Sequence, residues 1–346
     1  MIQKRNYLLM VMAALLLMTL VVGCGANGKQ EGSAVESSNP EVKTEDVQNN
    51  SGTTNAEEVR VIEHAMGKTE IKGTPQRIVT LYQGAADVAV ALGVKPVGIV
   101  ESWAEQPVYT YLRKDLDGVA IVGLETQPNL EEIAKLKPDL IIASKLRHEK
   151  VYDQLSQIAP TVTHETVFKF KETVQLMGEA VNKEVEAQQL LTDWEHRVAD
   201  FKGKISAKLG DGWPIETSVL NFRSDHARIY VTGYAGDILS ELGFVRSEYQ
   251  QEEADKGTVV VRLTDKEGIP SMNADVFFVF LSDPGQDEAV QKTYEEWSNH
   301  PLWKNLDAVK ADQVYQIDES VWNLAGGVLS AHMLLDQLYE HFGLEK

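Results

Sequence analysis

The chain has 346 residues, of which 43% are hydrophobic, and its formal net charge at pH 7 is −19. This length can supply the cores of two ordinary domains. The acidic balance argues against a nucleic-acid partner, because phosphate binding needs a basic surface. Cys24 is the single cysteine, so a disulfide within one chain is excluded.

The first 24 residues have the composition of a secretion signal. Lys4 and Arg5 give it a basic start, and a long apolar run follows that ends in the letters VVGC. This ending resembles the bacterial lipobox, in which a small residue permits cleavage before a cysteine that carries the lipid. We predict a signal peptide over 1–23 and lipidation of Cys24, with an uncleaved membrane anchor as the alternative.

The segment 24–58 has no aromatic residue and is rich in Gly, Ser, Asn and Glu. It contains too few apolar side chains to offset the entropy of ordering the chain. We predict that it is a flexible tether between the membrane and a folded body.

Between 59 and 168, short apolar runs alternate with amphipathic helical patterns. Strands are predicted in IVTL, VGIVES and DLIIAS, and helices in GAADVAVALGV and NLEEIAKLK. This alternation is typical of a mostly parallel sheet with helices on both faces. Ligands of such sheets bind beyond the carboxyl ends of the strands.

Polar and aromatic side chains follow three of these predicted strands. Tyr82 comes after the first strand, Trp103 comes after the second, and the third is followed by Lys145, Arg147 and His148. Because parallel strands end at one edge of their sheet, we expect these side chains to face a common site.

The segment 169–209 contains no proline and no strand pattern, and its apolar residues recur every three or four positions from Val174 to Ile205. This spacing predicts one amphipathic helix, bent near Gly203 and roughly 50–60 Å long. Alternation then resumes over 210–346, including a strand, a polar turn and a second strand in VLNFRSDHARIYV. The predicted fold is therefore α/β, with two doubly wound lobes joined by one long α-helix and a ligand cleft between the lobes.

Several stretches resemble a known family. The lipobox and tether, followed by GTPQRIVTLY, ALGVKPVGIV and NLEEIAKLKPDLIIASK, resemble the substrate-binding lipoproteins of bacterial ABC importers. The similarity extends from Val59 to the C-terminus and is greatest for the helix-linked class that serves ferric siderophores, vitamin B12 and haem. SKLRHEKVYDQLSQIAPTV and NFRSDHARIY resemble the branch that binds ferric citrate and citrate-hydroxamate siderophores.

This resemblance implies a monomeric, lipid-anchored protein on the extracytoplasmic face of the cell membrane. It would capture a ferric siderophore and deliver it to an ABC permease, without catalysis and without a cofactor. The family carries one exposed glutamate on each lobe that docks on permease arginines. These glutamates correspond here to Glu131, in the NLE motif, and to Glu267, in the turn before a strand.

The resemblance also implies a ligand clamp. Citrate-type ferric siderophores are anionic, and the planar guanidinium makes paired, charge-assisted hydrogen bonds to carboxylates. The predicted clamp takes cationic and imidazole groups from the first half and arginines from the second, with aromatic rings against the organic shell of the chelate. Its members are Lys145, Arg147, His148, Arg223, Arg228, Tyr82, Trp103 and Trp322.

Other functions remain open from the residues alone. The ligand could be haem, cobalamin or a free transition-metal ion. However, none of the eight histidines forms a closely spaced set with carboxylates or cysteine. We therefore predict no metal site, although one direct contact from His148 to iron stays open. A hydrolase is least favoured, because neither GxSxG nor HExxH occurs.

Overall fold

An antiparallel hairpin of β1 (Val59–His64) and β2 (Gly67–Lys72) begins the part of the chain that the computed structural model describes, residues 59–346. The predicted signal peptide, Cys24 and tether lie outside the described residues. The backbone N–H of Ala65, in the hairpin turn, donates to the carbonyl oxygen of Thr163 at 3.0 Å. This hydrogen bond ties the hairpin to the first lobe.

The first lobe is built on a six-stranded sheet in which all neighbours are parallel except the last pair, β5 and β6. In spatial order its strands are β8 (Thr161–His164), β7 (Leu140–Ser144), β3 (Ile78–Thr80), β4 (Gly98–Glu101), β5 (Ala120–Leu124) and β6 (Gln127–Pro128). Its helices are α1 (Gln83–Ala91), α2 (Leu130–Lys135), α3 (Lys145–His148), α4 (Tyr152–Ile158) and α5 (Phe170–Val181), with 3₁₀ turns at Thr110–Leu112 and Glu149–Val151. Every residue of β3 and β7 is buried, as expected for strands covered on both faces.

The second lobe has a five-stranded mixed sheet. In spatial order its strands are β11 (Val260–Leu263), β10 (Ala227–Tyr230), β9 (Thr217–Phe222), β12 (Val276–Leu281) and β13 (Val314–Gln316), of which β10 is antiparallel to both neighbours. Its helices are α7 (Gly233–Glu241), α8 (Glu248–Asp255), α9 (Asp287–Ser298), α10 (Pro301–Lys304), α11 (Asp307–Lys310) and α12 (Val328–His341). Short helical turns lie at Gly210–Gly212, Lys266–Met272 and Ser320–Leu324. The two-lobed α/β prediction is confirmed, including the strand, turn and strand of β9 and β10.

The prediction of one continuous helix over 169–209 is wrong. Helix α5 ends before Asn182, which has φ 60° and ψ 49°, and α6 (Glu184–Leu209) begins two residues later. Asparagine tolerates this left-handed conformation better than most residues, so it ends α5 and reorients the chain. Within residues 59–346, α6 is the helix that carries the chain from the first lobe to the second. It continues through Gly203, and its 26 residues span about 39 Å.

Helix α6 is fixed to both lobes by its buried stripe. The stripe consists of Ala187, Leu191, Trp194, Val198, Phe201 and Ile205. Trp194 packs edge-on against Phe170 of α5, with ring centroids 5.1 Å apart, and Phe201 packs edge-on against Tyr339 of α12 at 5.3 Å. Among residues 59–346, no helix combines the length and the apolar composition that crossing a bilayer requires.

The lobes also meet directly at Asp87, a buried residue of α1. Its carboxylate accepts the backbone N–H groups of Leu329 at 2.8 Å and Ser330 at 3.0 Å, in the first turn of α12. The Tyr111 hydroxyl donates to the same carboxylate at 2.7 Å. A side-chain carboxylate of one lobe therefore satisfies the free N–H groups at the start of a helix in the other.

Candidate functional site

A pocket of about 320 Å³ lies between the lobes, at the carboxyl edge of the first sheet. Each first-lobe residue that lines it follows the end of a strand: β3, β4, β5, β7 or β8. These residues are Gln83, Gly84, Trp103, Glu125, Arg147, Val167 and Phe168. The pocket thus occupies the position that a parallel α/β sheet favours for ligands.

The second lobe closes the other side of the pocket. Its lining comes from the β9–β10 turn and the adjoining strands, and from the segment that runs from Glu319 to the residues before α12. These residues are Arg223, Arg228, Tyr230, Val259, Val260, Glu319, Asn323, Leu324, Ala325 and Gly326. Three arginines from two lobes therefore converge on one pocket.

The first-lobe arginine is held by a buried carboxylate. The Nε–H of Arg147 donates to Oε1 of Glu125 at 3.0 Å, and Oε2 accepts the backbone N–H of Gln83 at 3.1 Å. The Glu125 side chain is only 3% exposed. Burial raises the pKa of Glu125, and the charge of Arg147 partly offsets that effect. Within residues 59–346, the two Nη groups of Arg147 have no hydrogen-bond partner, so they remain available to a ligand.

The second-lobe arginines have different partners. Arg223 pairs with the carboxylate of Asp283, while its buried Nε–H has no partner among residues 59–346. The Nε–H of Arg228 donates to Nε2 of His226 at 3.0 Å, and His226 itself is buried. The Nη groups of Arg228 also lack a partner within the described range. An unpaired, partly buried guanidinium donor is costly unless a ligand satisfies it.

Four of the predicted clamp residues lie outside this pocket lining. Tyr82 and Trp322 are 0% exposed. The Tyr82 hydroxyl lies 3.1 Å from Oγ1 of Thr173, and the Trp322 indole N–H donates to Gln337 at 2.6 Å. The prediction of ligand contact is therefore wrong for both, because their rings are enclosed by the core of the protein.

His148 and Lys145 are displaced from the pocket for different reasons. His148 is buried, and its two ring nitrogens are engaged by the backbone N–H of Ser144 at 3.1 Å and the carbonyl of Glu125 at 2.8 Å. Direct contact with a ligand or with iron is therefore wrong for His148, which supports the backbone of Glu125 instead. Lys145 pairs with Glu165 at 3.0 Å, away from the lining residues.

The sequence interpretation missed Glu125, Tyr230 and Glu319. Glu125 follows β5 just as Trp103 follows β4, but the run VAIVGLE was not interpreted as a strand. Glu319 follows β13, so the same strand-end rule applied to the second half would have found it. Tyr230 lies two residues beyond Arg228 on β10, and therefore on the same face.

The two predicted docking glutamates occupy matching positions at the starts of short helices. The backbone N–H of Glu131 donates to the Asn129 side chain at 3.1 Å, and the N–H of Glu267 donates to the Asp265 side chain at 3.0 Å. Both glutamates are exposed. In each case an Asn or Asp cap two residues earlier fixes the backbone that carries the glutamate.

Across residues 59–346, no group of three His, Cys, Asp or Glu side chains is placed to hold a metal ion.

Comparison with known proteins agrees with this geometry. The profile of the family described as "Periplasmic binding protein" matches residues 78–321. The chain belongs to this family. Among curated relatives of this periplasmic binding protein, the achromobactin-binding periplasmic protein of Dickeya dadantii is 46% identical over 271 residues, which cover 78% of this chain and 87% of that protein. The probable siderophore-binding lipoprotein YfiY of Bacillus subtilis is 43% identical, over 82% of this chain and 87% of that protein.

A solved structure of a relative shows the same similarity in three dimensions. The crystal structure of Staphylococcus aureus SirA complexed with staphyloferrin B is 57% identical, with a TM-score of 0.81. The match covers 83% of this chain and 99% of that one. The periplasmic binding protein described here therefore shares both its lobes and their connecting helix with a siderophore-binding relative.

Proposed function

We propose that this protein captures an anionic ferric siderophore outside the cytoplasm and delivers it to an ABC permease for iron uptake. The observation that carries the proposal is the convergence of Arg147, Arg223 and Arg228, from two lobes, on one pocket. The chain as a whole is strongly acidic, so a local group of three arginines is a specific feature of this site. The relatives named for achromobactin and staphyloferrin B support the same ligand class.

Capture requires only that the pocket bind the ligand, with no covalent bond made or broken. The Nη groups of Arg147 and Arg228 each offer a planar pair of donors to a carboxylate, and Arg223 adds a third cationic side chain to the lining. Trp103, which is 39% exposed, and Tyr230 supply ring surface for the organic part of the chelate. A ligand that occupies this pocket would satisfy donors from both lobes at once.

Lobe motion on binding is expected to be small. Helix α6 packs on α5 and α12, and Asp87 links α1 to α12, so the lobes are joined at several points besides the connecting chain. Small-angle scattering of the empty and loaded forms should give nearly equal radii of gyration. A large compaction on loading would contradict this part of the proposal.

Delivery would use the exposed glutamates. Glu131 and Glu267 present one fixed negative charge on each lobe, and we propose that they pair with arginines of the permease. A lipid on Cys24 would hold the protein at the membrane, as the name of a lipoprotein relative supports.

The decisive experiment is tryptophan fluorescence quenching with a panel of ligands: ferric staphyloferrin B, ferric achromobactin, ferric citrate, a ferric catecholate, haem and cobalamin. We expect one of the first three to bind most tightly. The variant R147E should weaken that ligand at least tenfold, about 1.4 kcal/mol. The control R113E changes an exposed first-lobe arginine outside the pocket and should bind like the wild type. Preferential binding of haem or cobalamin would overturn the proposal.

A further inference from the structure

The β9–β10 turn contains a hydrogen-bonded chain that ends on a pocket arginine. Nδ1 of His226 contacts a carboxylate oxygen of Asp225, and Nε2 of His226 lies 3.0 Å from Nε of Arg228. His226 is buried and does not line the pocket, whereas Arg228 does. The imidazole therefore acts on the pocket only through Arg228.

This geometry fixes the protonation state of His226. A guanidinium has donors only and stays charged at every physiological pH, so the 3.0 Å contact needs a lone pair on Nε2. The single ring proton then lies on Nδ1, where it is donated to Asp225. Nη2 of Arg262 is 3.3 Å from both Nδ1 of His226 and Oδ2 of Asp225, and only the carboxylate can accept its hydrogen bond.

We infer that His226 is a positioning residue that holds Arg228 toward the ligand while it is neutral and releases Arg228 when it is protonated. A proton on Nε2 would replace the acceptor by a donor and would place a positive charge against the guanidinium. Acidification that protonates His226 would therefore release Arg228. This inference rests on the proposed function, because it concerns grip on the same ligand.

The charged groups around His226 come from four elements. Arg228 on β10 and Arg262 on β11 oppose a second positive charge, while Asp225 in the turn and Asp283 beyond β12 favour it. Arg147 in the first lobe is held instead by Glu125, whose carboxyl group keeps an acceptor oxygen even when it is protonated. The acid sensitivity of ligand binding should therefore arise in the second lobe.

The test measures the affinity for ferric staphyloferrin B near neutral pH and about two pH units lower, for the wild type, H226Q, H226A and H64Q. The amide oxygen of Gln can replace Nε2 as an acceptor but does not titrate. His64 is a control, because it is bonded to Thr163 and Thr69 at 2.9 Å, away from the pocket lining. Protonation of the ligand is common to all four proteins, so only a difference between them in the response to acid is assigned to His226.

We expect the wild type and H64Q to lose affinity at least fivefold more than H226Q does on acidification. At neutral pH, H226Q should stay within about threefold of the wild type and H226A should bind at least fivefold more weakly, about 1 kcal/mol. Imidazole ¹⁵N spectra at neutral pH should show the proton of His226 on Nδ1. An equal loss of affinity on acidification in H226Q and the wild type would overturn the inference. This comparison is decisive even if H226A fails to fold. Failure of the wild type to bind any of ferric staphyloferrin B, ferric achromobactin and ferric citrate at neutral pH would overturn the proposed function instead.

Discussion

The two lobes hold a pocket arginine through the same atom but with partners of different charge. In the first lobe, Nε of Arg147 donates to the Glu125 carboxylate at 3.0 Å, and in the second, Nε of Arg228 donates to His226 at 3.0 Å. Both arrangements leave the Nη groups for a ligand. The Arg147 pair is close to neutral in total charge, whereas Arg228 keeps its full positive charge against a neutral imidazole.

This difference indicates a division of labour. Glu125 also accepts the backbone N–H of Gln83, so the first-lobe arginine is anchored to a rigid edge of the sheet. Arg228 is anchored by the imidazole of His226, whose Nε2 accepts its Nε–H at 3.0 Å. We expect the first lobe to set ligand orientation and the second to supply net electrostatic attraction.

The largest effect is expected at Asp87, where the two lobes are joined. Arg147 and Arg228 face one pocket only while the lobes keep their relative position. Burial raises the pKa of Asp87 to about 6, above its ordinary value of 3.8. The folded state therefore holds this proton more tightly than the unfolded chain does. Its contribution to stability is present below about pH 4 and is lost as the pH rises through about 6.

Between about pH 4 and 7, the wild type should thus lose about 3 kcal/mol of unfolding free energy relative to D87N. Urea denaturation across that range measures the difference. Asp139 provides a matched control, because it also accepts two backbone N–H groups, from Gln76 and Arg77 at 2.8 Å, but is exposed. A difference between wild type and D87N that does not change with pH would show that folding does not raise the pKa of Asp87.

The next effect tests the two arginines together. We expect R147Q and R228Q each to weaken ferric staphyloferrin B about tenfold, and the double variant about a hundredfold, or 2.8 kcal/mol. Binding titrations at several ionic strengths should distinguish R147Q from R228Q. R228Q should flatten the salt dependence more than R147Q, because Glu125 already balances the charge of Arg147. Equal salt slopes for the two single variants would remove the proposed division of labour.

A smaller effect is expected from the ring surface of the first lobe. W103A should weaken the same ligand about fivefold, close to 1 kcal/mol, because an indole face against the chelate is lost. Tyr249 is a suitable control, since it is 40% exposed, like Trp103 at 39%, and does not line the pocket. If Y249A weakened binding as much as W103A does, the loss could not be assigned to the pocket.

The smallest effect should come from E125Q. This change removes the charge that balances Arg147 and keeps one acceptor oxygen for its Nε–H, but the amide nitrogen cannot accept the backbone N–H of Gln83. We expect two- to threefold tighter binding of an anionic chelate, about 0.5 kcal/mol. Affinity measured beside E125A, which removes the acceptor as well, is the check. Weaker binding by E125Q would mean that the carboxylate charge itself is needed to position Arg147.

Local sequence patterns predicted much of the fold. Buried strands such as β7 are continuous apolar runs, and helix starts such as α2 carry an Asn cap, so both could be predicted from neighbouring residues. Asn182 shows the limit of this approach. The helical period continues across it without a proline, and nothing in the hydrophobic pattern distinguishes a left-handed asparagine from a helical one.

Residue patterns predicted the two lobes and the arginines after β7 and around the β9–β10 turn, because strand ends and hydrophobic period are local properties, and the family resemblance supplied the class of the protein. Which polar groups meet depended on tertiary packing. Tyr82 and Trp322 became core residues, and Glu125 and His226 became the anchors of Arg147 and Arg228. Such pairings join separate segments or depend on which way a side chain turns, and both are settled only when the sheets and helices pack.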